Sequence, residues 1–285
     1  MSKKIIIGTA NFNKYYGLRK NIISKNQIND LCNYAFRKKI YYLDTSSEYK
    51  NSNKIIKKLN KKLIINTKVL PDKNWIKFDY CLKKITKLKE NLGNKKIETL
   101  YLHDESLIYK NYFTKIYCNL IQLKGDGHFK KIGISIYNFD TINFFIKKFK
   151  FDVVQCPFNI LDQRLIRKNY YKILNKNKIE IHARSVFLQG LLLNSFNFKN
   201  KQFRKLQGKI LNLKNYANLK NINVLDLCMS FVDSHKINKF VIGFNDLKNL
   251  KEVLNYKKIK MLNYMPFYLS EKKLIDPRYW NYEKN

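Results

Sequence analysis

Ile40-Tyr41-Tyr42-Leu43-Asp44-Thr45-Ser46-Ser47-Glu48-Tyr49 is an apolar, aromatic run that ends abruptly in an aspartate, with a tyrosine five residues on. Ile, Tyr and Leu favour pleated, covered positions, so the first half reads as a buried strand. The second half reads as the loop that leaves it, with Thr45, Ser46 and Ser47 satisfying its backbone. Asp44, at the strand exit, is either the N-cap of the next helix or an active-site carboxylate, because α/β barrels carry their chemistry at strand C-terminal ends. The rest of the chain decides between the two.

On either side of this stretch strand-like and helix-like segments alternate. Ile5-Ile6-Ile7 is a first strand ending at Gly8-Thr9-Ala10. Ser24 and Gln27 form a capping box for a helix with Ile28, Leu31, Cys32, Ala35 and Phe36 on one stripe. The strand over 40–44 is followed by a short helix around 52–59 and a third strand over 63–68. A helix over about 79–91, stopped by Gly93-Asn94, leads to a fourth strand over 98–103. Further strands are predicted over 131–135, 152–155, 179–183 and 239–243. The helices between and after them fall near 113–123, 141–149, 165–175, 202–217, 223–234 and from 246 toward 256. Eight strand–helix units of one composition with no linker predict a single parallel (β/α)8 (TIM) barrel domain over 1–285. A doubly wound dinucleotide-binding sheet would open with GxGxxG after its first strand, and Gly8 and Gly17 do not supply it.

The composition bounds the function. With 45% hydrophobic and 14% aromatic residues the 285-residue chain is a packed globule. A formal net charge of +36 raises nucleic acid or an anionic membrane as partners. The lysines, however, are spread between apolar residues throughout, as on solvated helix faces, so neither a specific nucleic acid nor a membrane is expected. Five separated cysteines (Cys32, Cys81, Cys118, Cys156, Cys228) show no CxxC or metal-ligand spacing. They read as free thiols in a reducing compartment, with no metal site. No apolar run approaches signal-peptide or transmembrane length, and the expected location is the cytoplasm.

In the barrel reading Asp44, Lys68 and His103 end the second, third and fourth strands, and Tyr49 lies in the loop after the second. Singly each has an ordinary explanation; jointly they make chemical sense. A buried lysine beside a tyrosine lowers the phenol's pKa from about 10, and a carboxylate keeps that lysine charged. A histidine can orient a carbonyl, and tyrosine is then a general acid for a carbonyl oxygen becoming an alcohol.

These residues and the motifs around them resemble the aldo-keto reductase family. The resemblance runs through Gly8-Thr9-Ala10, LDTSSEY at 43–49, NTK at 66–68, YLHD at 101–104 and KKIGIS at 130–135. It continues with VVQCPFN at 153–159, ARSVFLQGLL at 183–192, FVIGFNDLKNLKEVL at 240–254 and Asp276-Pro277-Arg278-Tyr279-Trp280. It implies a barrel that binds NADPH or NADH across the strand C-termini, with a C-terminal tail over the active-site face. Tyr49 would be the proton donor, tuned by Asp44 and Lys68, with His103 orienting the carbonyl. Ser135 and Gln155 would hold the nicotinamide carboxamide. Arg184, Ser185 and the loop from Leu188 to Gly190 would run along the nicotinamide and pyrophosphate. Gly243, Asn245, Lys248, Asn249 and Glu252 would meet the adenosine end, at a helix start suited to phosphate.

The chain departs from the family pattern at two places. Ile136 follows Ser135 where many members have Asn, and Arg184 stands where many stack an aromatic on the nicotinamide. Lys248 is the candidate for a 2′-phosphate, and NADP(H) is favoured over NAD(H). The implied reaction is reduction of a small aldehyde or ketone, sugar-derived by likeness to bacterial members, in a monomer or weak oligomer. The alternatives are a non-catalytic, cofactor-binding regulatory or scaffold barrel, and an anion- or nucleic-acid-binding protein built on the same fold. Among other residues, His235 is expected to cap a helix C-terminus, His182 to pack, and Trp75 and Trp280 to line a pocket or anchor the core.

Overall fold

A computed structural model describes residues 2–13, 15, 22–194, 203–260 and 263–280. Gly17 and the first residue of the helix expected over 202–217 lie outside them. The strands are β1 (Ile5–Gly8), β2 (Tyr42–Asp44), β3 (Ile64–Val69), β4 (Ile97–Leu102), β5 (Lys131–Ser135), β6 (Val153–Pro157), β7 (Glu180–Arg184) and β8 (Lys239–Gly243). They pair in sequence order, all parallel, and close as Gly8 pairs with Gly243. This is a (β/α)8 barrel.

The helices are α1 (Lys25–Arg37), α2 (Lys50–Lys58), α3 (Phe78–Asn91), α4 (Phe113–Gly125), α5 (Thr141–Lys148), α6 (Arg164–Arg167), α7 (Tyr170–Lys176), α8 (Arg204–Leu219), α9 (Val224–Asp233), α10 (Leu247–Leu254) and α11 (Lys272–Ile275). They follow from local rules. Ser24 and Gln27 close a reciprocal capping box on α1, which buries Ile28, Leu31, Cys32 and Ala35. The helix expected over 165–175 is two pieces, because Asn169 stands between them at φ 58°, a left-handed conformation that Asn tolerates and a helix interior does not. Gly93 ends the α3 turn at φ 71°, and a Cβ there would stand 2.8 Å from the Lys57 carbonyl oxygen.

One apolar layer between helices and barrel contains Phe113, Phe145, Phe151, Phe158, Phe231 and Phe240, all buried. Trp75 and Trp280 belong to it, so both are packing anchors; the Trp280 indole N–H donates to the Leu274 carbonyl (3.2 Å). His235 caps α9 as expected, its Nδ1 2.8 Å from the Phe231 carbonyl oxygen. Of the five free cysteines four are buried and Cys118 is exposed. After β8 the chain returns across the strand C-termini, where Leu269 N–H donates to Leu161 O (3.0 Å) and Gln163 Nε2 to Tyr264 O (2.8 Å). Among the described residues no helix is long and apolar enough to cross a membrane.

Candidate active site

The ladder continues past the strand ends and fixes the loops that follow. Thr9 N–H donates to Asp44 O, Thr45 N–H to Asn66 O, Ser47 N–H to Lys68 O and His103 N–H to Val69 O, at 2.8–3.0 Å. The loop 45–49 is further braced by Asn53, which receives the Thr45 hydroxyl (2.8 Å) and donates to Ser46 O (2.8 Å). Short, small and polar, this loop delivers Tyr49 to the N-cap of α2. Asp44, Lys68, His103 and Tyr49 thereby line one cleft of ≈ 1010 Å³ at the C-terminal mouth of the barrel.

Asp44 and Lys68 are both buried and form an ion pair, Nζ to Oδ1, with a second Nζ contact to Thr45 O at 3.3 Å. The other Asp44 oxygen accepts from Gln155 Nε2 at 2.6 Å. Asp44 is therefore no helix cap; it is held from two sides inside the barrel. Burial pulls the Lys68 ammonium below its ordinary range, and the Asp44 carboxylate opposes that pull. His103 is pushed down to about 4, by burial first and then by Lys68. It is neutral at physiological pH, with Nδ1 3.2 Å from the Ser46 hydroxyl.

Ser135, Gln155, Arg184, Ser185, Gly190, Gly243, Asn245, Lys248, Asn249 and Glu252 line the same cleft. Leu188 does not: its side chain is fully buried in the core, so the loop reaches the cleft through Phe187, Gln189 and Gly190 instead. The α10 N-terminus, expected to offer its amides to phosphate, is already capped, since the Asp246 side chain accepts from Asn249 N–H at 2.7 Å.

Three features escape the sequence reading. Ser46, the partner of His103, has no signal beyond its place in the loop. Asn11, three residues past β1, was findable as a polar residue at a strand exit; its Nδ2 donates to Phe244 O (2.9 Å) and its buried Oδ1 has no partner. Tyr137 carries a guanidinium on each face, Arg184 at 3.7 Å and Arg278 at 3.4 Å from the ring centroid. Arg278 is itself paired with fully buried Asp276, and its stack on Tyr137 ties the C-terminal segment to the cleft.

The cleft fits an extended dinucleotide. It runs from Tyr49 and His103 to Asn223 and Lys257, is lined by Lys248, Lys251 and Lys257 as cations for phosphate groups, and presents Asn11 Oδ1 as a free buried acceptor. Among the described residues no group of three metal-type ligands occurs.

The aldo-keto reductase AKR11C1 from Bacillus halodurans (holo form) has the same fold, with a TM-score of 0.72, 14% identity and coverage of 95% of this chain and 90% of that one. The glycerol dehydrogenase AKR11B4 from Gluconobacter oxydans superposes with a TM-score of 0.68 at 17% identity, over 96% of this chain and 91% of that one. The thermostable aldo-keto reductase Tm1743, solved with epalrestat, gives 0.65 at 17% identity, over 95% and 92%. No curated protein sequence matches the chain. The family model for the aldo/keto reductases matches residues 4–267, nearly the whole chain. The chain belongs to the aldo/keto reductase family.

Proposed function

We propose that the protein is an NAD(P)H-dependent carbonyl reductase in which Tyr49 protonates the carbonyl oxygen. The observation that carries this is the buried Lys68–Asp44 pair on neighbouring strand ends, in one cleft with Tyr49 and neutral His103. Bound in the cleft, the nicotinamide would supply hydride to the carbonyl carbon. The chain's own residues do the rest. Ser46 Oγ accepts from Glu48 N–H and lies 3.2 Å from His103 Nδ1. With the Ser46 hydroxyl donating to Nδ1 the ring carries its hydrogen on Nε2, and a neutral Nε2–H is the donor needed to hold a carbonyl oxygen without taking its place as acid. Lys68 stabilises the Tyr49 phenolate left by proton transfer. Asp44, with one oxygen on Lys68 and the other on Gln155, keeps the lysine charged in a site where burial favours the neutral amine.

Ser135 and Arg184 would meet the nicotinamide, Ser185 and Gly190 the diphosphate, and Gly243, Asn245, Asn249 and Glu252 the adenosine. Gln155, already bound to Asp44 through Nε2, has its Oε1 left for the carboxamide. Lys248, with Lys251 and Lys257 beside it, supports NADP(H) over NAD(H). A half-polar cleft bordered by Pro277 would take a small, sugar-derived carbonyl in the cytoplasm.

Fluorescence titration with NADPH and NADH, on wild type and Tyr49→Phe, tests the reading. Both proteins should bind cofactor alike, and the variant should turn over a carbonyl panel about 10²–10⁴-fold more slowly. Failure of both to bind either cofactor would overturn it.

A further inference from the structure

Barrel interiors are ordinarily filled by layers of branched apolar side chains. This one is largely polar. Tyr101 on β4 meets His182 on β7, hydroxyl to Nδ1 at 2.6 Å; Lys131 on β5 meets Glu180 on β7 at 2.7 Å; Gln155 on β6 meets Asp44 on β2. None of these strand pairs are neighbours, so the contacts cross the inside of the barrel. Alternation puts Glu180, His182 and Arg184 on that inward face of β7, with Thr99 and Tyr101 on β4 and Asn66 and Lys68 on β3. Room for the Tyr101 ring comes from Gly133, where a Cβ would stand 2.3 Å from the ring.

The polar groups form a graded series. Lys131 and Glu180, at the strand N-termini, have side chains 30% and 32% exposed, whereas the Lys68 side chain is 5% exposed. Between these ends the Asn66 amide, Thr99 Oγ1, Gln155 Oε1 and His182 Nε2 are buried without a hydrogen-bond partner among the described residues. Glu180 Oε2 stands 3.5 Å from His182 Nε2. Buried polar groups are almost always paired, with protein or with ordered water.

We propose that the barrel interior is a proton path, leading from the face opposite the cleft to the Lys68–Asp44 pair. Its members are Glu180 with Lys131 at the mouth, His182, Tyr101, and water held by Asn66 and Thr99. The proposal rests on the carbonyl-reducing reading, because each reduction consumes one proton and does so while cofactor and substrate cover the cleft. Lys68 gives a proton to the Tyr49 phenolate. The amine is refilled by the interior water, the water by the Tyr101 hydroxyl, that oxygen by His182 Nδ1–H, and His182 Nε2 by a proton passing through the Glu180 carboxylate from bulk solvent. One proton enters, one is delivered, and no electrons move.

Two variants test this. Glu180→Gln changes a half-exposed mouth residue, and Tyr101→Phe keeps the ring over Gly133 while removing the hydroxyl. In stopped-flow NADPH oxidation with excess carbonyl, both should carry out the first hydride transfer at wild-type rate. Later turnovers should slow at least tenfold, and formate or imidazole buffer should restore the Glu180→Gln rate. Turnover within twofold of wild type in both, or first and later turnovers slowed together, overturns the path. Exchange of the His182 ring N–H with solvent, followed by NMR of ¹⁵N-histidine protein without cofactor, decides the matter independently of activity. It should be at least tenfold slower in Glu180→Gln, and an unchanged rate counts against the path. Should wild type reduce no carbonyl at all, the functional reading falls, while this exchange rate still reports on the path.

Discussion

His103 links the chemistry of the site to the stability of the fold. Its folded-state pKa of about 4 lies below the ordinary 6.5, chiefly because burial disfavours the imidazolium and Lys68 repels it. Above pH 6.5 the group is neutral in both folded and unfolded chains and contributes nothing to pH dependence. As pH falls from 6.5 toward 4 the unfolded chain takes up a proton that the native state refuses, so stability is lost over that window and levels off below it. The loss is at most roughly 3 kcal/mol for a shift of this size. Urea unfolding of wild type and His103→Gln between pH 4 and 7 checks it, and the wild type should lose stability more steeply toward acid. His182 and His235, both also held down by burial, act in the same direction and remain in both proteins, so the difference isolates His103. At this scale the sequence revealed what lies at strand ends: Asp44, Lys68 and His103 each close an apolar run, and the register places them together. It did not reveal the Gln155–Asp44 bond, the Tyr101–His182 contact or the Arg184–Tyr137–Arg278 stack. Those contacts join strands or loops far apart in the chain, and no local periodicity encodes them.

Strands β4 and β5 show how element-level order depends on one missing side chain. Leu102 pairs with Ile134 and Tyr101 with Gly133 in the parallel register, and the Tyr101 ring lies over Gly133 while its hydroxyl is fixed across the barrel by His182. A Cβ at 133 would meet ring carbons at 2.3 and 2.6 Å and Thr99 Cγ2 at 3.1 Å. The ring is tethered at its far end and cannot swing aside, so Gly133→Ala should destabilise by about 1–3 kcal/mol, as overpacked core sites do. The urea midpoint should drop at an unchanged slope. The same substitution in a Tyr101→Leu background should cost less, because the clash partner is gone, and a cycle of the four proteins measures that coupling. Apolar runs closing on residues such as Asp44, Lys68, His103, Ser135 and Gly243 made all eight strands legible to within about two residues. The helices were legible by stripe and cap, except for four-residue α11, which no stripe announced, and between Leu165 and Asn175, where Asn169 breaks the run. Its left-handed backbone is a property of that turn's packing, and Asn is common enough in this chain to carry no warning.

Across the whole molecule 57 basic residues face 21 acidic ones, so 36 positive charges have no carboxylate to pair with even if every acid is used. Several acids are in fact committed inside the structure: Asp44 to Lys68, Asp162 to Arg164 and Asp276 to Arg278. The surface is therefore dominated by like-charge repulsion, which a compact state feels more strongly than an expanded one. Salt should relieve it. The Debye length shrinks from about 30 Å at 0.01 M to about 8 Å at 0.15 M, shorter than the spacing across the barrel. The melting temperature should accordingly rise with sodium chloride over this range, by about 2–4 °C for each kcal/mol of repulsion removed. A fold held by surface ion pairs would respond in the opposite sense. The same screening separates adhesion from recognition. Binding to duplex DNA or heparin at low salt should vanish by about 0.2 M without sequence preference, since it would rest on counterion release alone. NADPH binding, seated in a cleft with buried contacts, should weaken far less. Titrating both ligands on one preparation across that salt range tests the assignment directly: parallel loss of the two would place the dinucleotide on the charged surface, and retention of NADPH alone would place it in the barrel mouth.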